Sequence, residues 1–438
     1  MAEATDKITH KAPFDMLPDE LVLIIIEFSI SGASYTDPCG CPHSPHWTLC
    51  KALSLTCRRF NRLTTPLLYS SLYLAVPSKA ATKPLYPVKR SLRQYCRKLT
   101  FDILNFSEQT EAHWQIAKDF AAGCTEVRCL SIRGGIDKHN VETWRFVDSM
   151  LAHMHTIEHL SLSAGTWGLW LPQVLEHIDI PTLRCLYLNN IGKVQTTKNV
   201  IRSGKNRTAS FTTLHVSEYE DSVAAMDHFI RWPRQLRHFH FGARNLPDYL
   251  DLSTFAPWLS VHKDTLETID LDFLPSTDER KLIDVSDFPQ LKSLKLPILS
   301  FRPTLEFSLA QVDCLFSPRL EVVTWSFDYY DEHSDGQIAF GDKEEQWLRQ
   351  FAKVAASKPS PFKKIVVMFK TMVEDIRIGR GTVSRWDYLD RVKEYSRQLN
   401  IELEYYPPRG AVEHLHGDWC PCLRCRMLSE GGYANDEQ

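Results

Sequence analysis

The feature that most constrains this chain is a recurring apolar pattern, Leu-x-x-Leu-x-Leu with other apolar residues allowed. It recurs at Val127-Leu130-Ile132, Ile157-Leu160-Leu162, Leu183-Leu186-Leu188, Leu236-Phe239-Phe241, Leu266-Ile269-Leu271, Leu291-Leu294-Leu296 and Leu320-Val323-Trp325. Weaker copies stand at Leu99-Phe101, Phe211-Leu214-Val216 and Ile365-Val367. The 224 residues from Leu99 to Val323 hold eight intervals, a mean of 28. Successive residues of a strand point to opposite faces, so the last two apolar positions of each copy, two residues apart, share one face. A single short strand cannot bury that face, and the copies must stack to share a core. Pro181, Pro233, Pro289 and Pro318 precede copies, where proline stops a helix and readies an extended start. Helical periodicity fills the gaps, most clearly at Glu111 to Ala122, Val141 to Met154, Lys343 to Ser357 and Arg385 to Leu399. The expected unit is strand, loop, helix, repeated. An ordinary α/β fold with several parallel strands shares this alternation and stays open as the alternative.

Residues 13–74 read differently. They contain Phe14-Asp15-Met16-Leu17-Pro18-Asp19-Glu20-Leu21, then Leu53-Ser54-Leu55-Thr56-Cys57-Arg58-Arg59-Phe60, then Pro66-Leu67-Leu68-Tyr69-Ser70-Ser71-Leu72. Pro18 suits the first turn of a helix, Asp19 and Glu20 suit its positive end, and Leu17, Leu21, Ile24 and Phe28 fall on one stripe. A second helix is expected from about Trp47, with Leu53, Cys57 and Phe60 on one face. So small a unit buries too little apolar surface to spend this many large side chains on helix faces without a partner. The stretch resembles an F-box over about sixty residues. That resemblance implies binding to the Skp-family adaptor of a cullin-RING ubiquitin ligase through Leu17, Pro18, Leu21, Leu53, Cys57, Phe60 and Leu63. Residues 31–46, rich in Gly, Pro, Cys and His, form an insertion where the family has a short turn. The alternative is a three-helix unit packed only on its own repeats. From Pro38 to Phe101 there is no Asp or Glu but there are 11 Lys and Arg, a one-sign run that favours an acidic partner.

A period of 28 lies within the range of leucine-rich repeats. Residues 95–406 resemble the irregular leucine-rich repeats that many fungal F-box proteins carry, with residues 75–94 as a Pro-containing linker. The repeat Asn is missing from most copies; Asn189 and Asn190 are the exception. The resemblance implies an α/β fold class: a small N-terminal helical F-box followed by a leucine-rich-repeat-like solenoid, or horseshoe, of parallel strands and helices. Its concave face would present Ser131, Arg133, Ser161, Ser163, Tyr187, Asn189, His215, His238, His240, Asp270, Asp272 and Lys295, a histidine patch beside an acidic one. Two loops stand out as recognition candidates or solvated insertions: basic residues 191–210, with Lys193, Lys198, Arg202, Lys205 and Arg207, and acidic residues 328–345.

Charge is balanced, 51 basic against 54 acidic residues, so the chain carries no overall footprint for nucleic acid. Residues 1–12 are polar, with disorder and no signal sequence expected, and the longest apolar run, Leu21 to Ile26, is far short of the ~20 residues of a membrane span. The reading is therefore no membrane partner and a cytoplasmic or nuclear location, with the 12 cysteines as reduced thiols. No phosphate loop, dinucleotide fingerprint, nucleophile elbow or zinc-protease motif occurs. No cofactor is expected, save a structural zinc on the tail, residues 407–438. There His414, His416, Cys420, Cys422 and Cys425 offer the ligand types of a four-coordinate site at a spacing unlike common fingers. Reduced thiols are the alternative there, and also at Cys39, Cys41, His43, His46 and Cys50. The functional expectation is a non-catalytic, substrate-recognition subunit of an SCF-type ligase, partnered by the Skp-family adaptor, the cullin core and a protein substrate. The alternative is a non-ligase interaction scaffold.

Overall fold

The computed structural model describes residues 17–31, 45–76, 88–103, 111–136, 141–165, 168–193, 205–243, 252–272, 283–297, 312–327, 341–368 and 385–405. Residues 1–12, most of the 31–46 insertion and the 407–438 tail lie outside these. The chain divides into two compact units, residues 1–132 with 152–156, and residues 133–151 with 157–438. Among the described residues there are eleven α-helices and twelve strands, and every registered strand pair is parallel and consecutive in sequence.

The first unit begins with helices α1 (Asp19–Ser31), α2 (Pro45–Ser54) and α3 (Arg58–Leu68). Val22, Ile26 and Cys50 form their buried centre, with Leu17, Leu49, Leu53, Phe60, Leu63, Leu67 and Leu68 packed around it. Cys57 caps α3, its Sγ accepting the Phe60 N–H at 3.5 Å. Strand β1 (Ser71–Val76) follows after only Tyr69 and Ser70, and pairs with β2 (Lys98–Ile103) from Ser71 opposite Lys98 to Val76 opposite Ile103. This corrects the expected boundaries. The end of the F-box-like stretch is already the first strand, and the expected 75–94 linker includes the end of β1 and the short helix α4 (Arg90–Arg93). Leu72 and Leu74 alternate inward as strand residues, a pattern too short to separate from the preceding helix by eye. Helix α5 (Glu111–Ala121) leads to β3 (Cys129–Arg133).

In the second unit the described elements continue with α6 (Val141–His153, whose last two residues fall in the first unit), β4 (His159–Ser163), α7 (Leu171–His177), β5 (Cys185–Ile191), β6 (Thr213–Tyr219), α8 (Val223–Ile230), β7 (His238–Ala243), α9 (Leu252–Leu259) and β8 (Thr268–Leu271). They end with β9 (Ser293–Pro297), β10 (Val322–Ser326), α10 (Asp342–Ser357), β11 (Lys364–Met368), α11 (Arg385–Gln398) and β12 (Glu402–Tyr405). One register runs through β4 to β12: Leu160, Leu186, Leu214, Phe239, Ile269, Leu294, Val323, Ile365 and Leu403 are successive cross-strand partners. All nine are at most 2% exposed, so each motif copy supplies one layer of a continuous apolar row.

A backbone device repeats with the motif. The carbonyl just before a strand accepts the last N–H before the next strand and that strand's first N–H. Glu158 O takes Arg184 and Cys185 (2.7 and 3.0 Å), Arg184 O takes Thr212 and Thr213 (2.9 and 3.1 Å), and Arg237 O takes Glu267 and Thr268 (2.8 and 3.0 Å). A hydroxyl locks the turn into several copies. Thr182 Oγ1 donates to Ile157 O (2.7 Å), Ser210 Oγ to Leu183 O (3.0 Å) and Thr265 Oγ1 to Leu236 O (2.8 Å). Aromatic residues fill the larger gaps, as where Trp325 meets Trp347 edge-on at 4.9 Å and Trp347 stacks on Phe351 at 5.6 Å. Because the shared row cannot relax around a missing side chain in one layer, Leu214→Ala is expected to cost about 2–5 kcal/mol, read from urea unfolding. A loss below about 1 kcal/mol would show that the layer collapses to fill the gap.

Candidate functional site

Two surfaces carry the sequence-derived candidates, one in each unit. On α1, Val22 and Ile26 face inward, while Leu21, Ile24, Ile25 and Phe28 are 47, 58, 43 and 81% exposed. The expected stripe of Leu17, Leu21, Ile24 and Phe28 is thus not the helix's core face. Apart from Leu17, which packs on the three-helix centre, it is the outward face. Of the residues singled out for adaptor contact, Pro18, Leu21 and Cys57 are exposed, whereas Leu17, Leu53, Phe60 and Leu63 are half-buried around the centre. Ile24, Ile25 and Phe28, together with Leu55 at 78%, are the exposed apolar residues that the motif match alone did not select.

Asp19 joins the ends of this unit. It accepts from Arg59 Nε at 2.7 Å and also pairs with Arg62, and these two hydrogen bonds hold its carboxyl below the usual carboxylate range. The one-sign basic run is therefore partly neutralised within the unit, since Arg97 likewise pairs with Glu126 at 2.8 Å.

On the second unit, the residues between the buried apolar positions form a polar row. Ser161, Tyr187, His215, His240, Asp270 and Lys295 are cross-strand partners on β4 to β9, and so lie side by side as the repeat pattern predicts. His215 stacks on His240, ring centres 3.6 Å apart and planes 10° apart, and Tyr187 tilts against His215 at 5.5 Å. His240 lies between two carboxylates, Nδ1 3.0 Å from Asp270 and Nε2 3.3 Å from Asp272. Asp272 leans across Gly242, where an added Cβ would meet its own Cβ at 3.4 Å. Lys295 closes the cluster, 3.1 Å from Asp270 and paired with Asp272. Beside this row Asn189 donates to Ser163 Oγ (3.0 Å) and accepts from Ser217 Oγ (2.8 Å). His238 is exposed and meets Thr268 Oγ1 at 3.1 Å.

Burial raises the Asp270 carboxyl, but the hydrogen bond and charge of His240 and the charge of Lys295 outweigh it and leave it lowered. For Lys295 burial pulls down, and the two aspartates push the ammonium up overall. His240, Asp270 and Asp272 have the donor types of a cation site. The Lys295 ammonium already supplies the positive charge between the carboxylates, and both nitrogens of His240 face carboxylates. The arrangement presents a fixed, mixed-charge surface. It has no nucleophile poised beside a free base.

Other candidates resolve differently. Cys50, grouped with Cys39, Cys41, His43 and His46, is fully buried in the helical core, and burial raises its thiol. Lys205 and Arg207 of the basic loop fold back, the first onto Leu175 O and the second onto Val261 O at 2.9 Å. Glu344 and Glu345, at the end of the acidic stretch, are buried: Glu344 caps α10 through the Gly341 N–H (2.9 Å), and Glu345 pairs with Arg349 and Arg391, each at 2.6 Å. His414, His416, Cys420, Cys422 and Cys425 lie outside the described residues, as do residues 194–204 of the basic loop and 328–340 of the acidic one.

No protein-family model matches the sequence, and no curated protein matches it. Among solved structures the chain is similar to the crystal structure of the Rad7 and Elc1 complex in yeast. Identity is 13%, 84% of this chain and 92% of that chain are covered, and the TM-score is 0.34, too slight a likeness to carry an argument. No helix among the described residues is long and apolar enough to cross a membrane.

The polar row makes a pH prediction. Burial, then the charge of His240, push the His215 imidazole down to about 4. An unfolded histidine titrates near ~6.5, so between the two values the unfolded chain binds the extra proton. The contribution of His215 is complete above about 6.5 and is lost as pH falls toward 4. His215→Phe is expected to remove up to one proton from the pH dependence of stability across that window, read from urea unfolding at stepped pH. An unchanged slope would refute the assignment.

Proposed function

We propose that this chain is the substrate-recognition subunit of an SCF-type, cullin-RING ubiquitin ligase. In this reading the helical unit docks a Skp-family adaptor and the polar face of the repeats receives a protein substrate. The observation that carries it is the outward face of α1: Leu21, Ile24, Ile25 and Phe28 stand 43 to 81% exposed on a helix whose other side, Val22 and Ile26, already fills the core. Large apolar side chains on one exposed face mark an interaction site. The sequence around them is the stretch that resembles an F-box, whose family partner is that adaptor.

Such a subunit needs no catalytic group of its own. It holds the ligase through one unit and the substrate through the other, and raised effective concentration speeds transfer by the catalytic subunits. The polar row suits the substrate end because its groups are ordered by neighbours on adjacent strands, so little side-chain freedom is lost on binding.

Co-expression with a Skp-family adaptor followed by affinity purification tests the reading. The wild-type chain is expected to bring the adaptor down, and Leu21→Asp with Phe28→Asp to weaken binding on the order of 10²-fold or more, the scale of losing two interface anchors. The helical content and melting of this variant should match wild type, because neither side chain fills the core. A wild-type chain that fails to bind the adaptor, or a folded variant that binds it equally well, would overturn the proposal. Substitutions at Leu17 or Phe60 would confound folding with binding, since both pack on the core.

A further inference from the structure

The residues just before strands β4 to β11 stand side by side, because each one's N–H donates to the carbonyl of the one before. Arg184 donates to Glu158, Thr212 to Arg184, Arg237 to Thr212, Glu267 to Arg237, Lys292 to Glu267, Glu321 to Lys292 and Lys363 to Glu321, all at 2.7 to 3.0 Å. In chain order they form a row of alternating charge, Glu158, Arg184, Thr212, Arg237, Glu267, Lys292, Glu321 and Lys363, in which Thr212 stands where the alternation calls for an acid. Neighbours pair along this row: Lys292 meets Glu267 at 2.8 Å, and Lys363 meets Glu321. Pairing is looser on both sides of Thr212. Arg184 is 3.8 Å from Glu158, and Arg237 is 3.6 Å from Glu267, a carboxylate that Lys292 already holds. The two arginine side chains are 73 and 54% exposed. The Thr212 hydroxyl makes no hydrogen bond among the described residues, since Ser210 supplies the lock on that turn. The next row inward, His159, Cys185, Thr213, His238 and Thr268, carries no carboxylate either.

We propose that the gap at Thr212 is a docking site for a short acidic segment of a protein partner, whose Asp or Glu carboxylate takes the place that the row leaves without an acid. Charge complementarity carries the assignment. Adjacent strands lie ~4.8 Å apart, so Arg184 and Arg237 flank a space about two strand spacings wide, the space that a resident glutamate fills between Arg237 and Lys292. The size of the absent group is thus set by the rest of the row. Both cations at the gap are arginines, whose planar fork offers a carboxylate two parallel N–H donors, whereas both cations beyond Glu267 are lysines. The Thr212 hydroxyl adds a donor at the floor. Docked backbone positions fix the two stems, so only the arginine tips need reorient to meet the incoming charge. A long polyanion suits the place poorly. Glu158 and Glu267 bracket the gap four strand spacings apart, roughly 19 Å, and a nucleic-acid strand following the row would meet a carboxylate at each side. A carboxylate on a peptide that crosses the row meets neither.

The test measures fluorescence anisotropy of a labelled oligoglutamate peptide, its oligoglutamine counterpart and a labelled oligothymidylate, each titrated with the full-length protein at low salt. The wild-type chain is expected to hold the glutamate peptide on the order of tenfold more tightly than the glutamine one, the scale of two exposed ion pairs made at one carboxylate. That preference should vanish at about 1 M salt, where screening reaches ~3 Å. Thr212→Glu supplies the absent acid from within the chain. It is expected to bring glutamate binding down to the glutamine level while melting no lower than wild type. Arg184→Gln with Arg237→Gln should lose the preference as well, and this variant decides the matter even where Thr212→Glu does not fold. Equal binding of the two peptides by wild type, or glutamate binding that survives in the folded variants, would overturn the proposal. Tighter binding of the oligothymidylate, lost in the same variants, would assign the gap to nucleic acid and overturn it too. The gap is separate from the α1 face and no adaptor is present in the assay, so this proposal and the adaptor reading fail independently.

Discussion

The structure rests on a single constraint: no layer of the repeat can bury its apolar residues or satisfy its backbone without the next. The carbonyl that precedes one strand anchors the start of its neighbour, as Arg184 O does for Thr212 and Thr213. The buried row from Leu160 to Leu403 exists only when the register is kept. Shifting one strand by a residue would exchange its apolar and polar faces. Hydrophobic burial and hydrogen bonding therefore specify the same register, which is why a loosely kept motif is sufficient. Phe, Val and Trp replace Leu at several layers and the row remains closed.

That register also builds the polar cluster. His240, Asp270 and Lys295 are far apart in sequence and carry no motif among them, but the period of the repeat makes them neighbours. Asp272 enters from the next outward position on β8's side of the row because Gly242 leaves space for it. Each charge then meets its counter-charge on an adjacent strand, and the desolvation that partial burial imposes is offset within the cluster.

Much of this was legible in the sequence. The seven strong motif copies and three weaker ones mark strands, and the four helical stretches from Glu111 to Leu399 are helices to within a residue or two. The alternation also placed Tyr187, His215, His240, Asp270 and Lys295 on one face. Three things were not legible. Strand β1 was hidden because Leu72 and Leu74 continue an apolar helical run without a break. The stripe on α1 was legible as a stripe but not as outward-facing, because a helix with apolar residues on both sides gives no sequence signal for which side its neighbours take. The pairing of Arg59, Arg62, Lys205, Arg207 and Glu345 depends on partners distant in sequence, so charge runs overstated what the surface offers. A further signal lies in the sequence itself: a hydroxyl directly before the first apolar residue, as at Thr182-Leu183, Ser210-Phe211 and Thr265-Leu266, marks the locked turn of a repeat.

The passage from helix to sheet in the first unit has a mechanical meaning. Only Tyr69 and Ser70 separate α3 from β1, and the Ser70 carbonyl is itself the acceptor for Arg97 and Lys98 at the head of β2. There is no hinge here to absorb a twist. A molecule gripping the helices thereby fixes the direction in which the first strands leave, as a wrench on the end of a bar fixes the bar, and a load applied to those strands is felt at the grip.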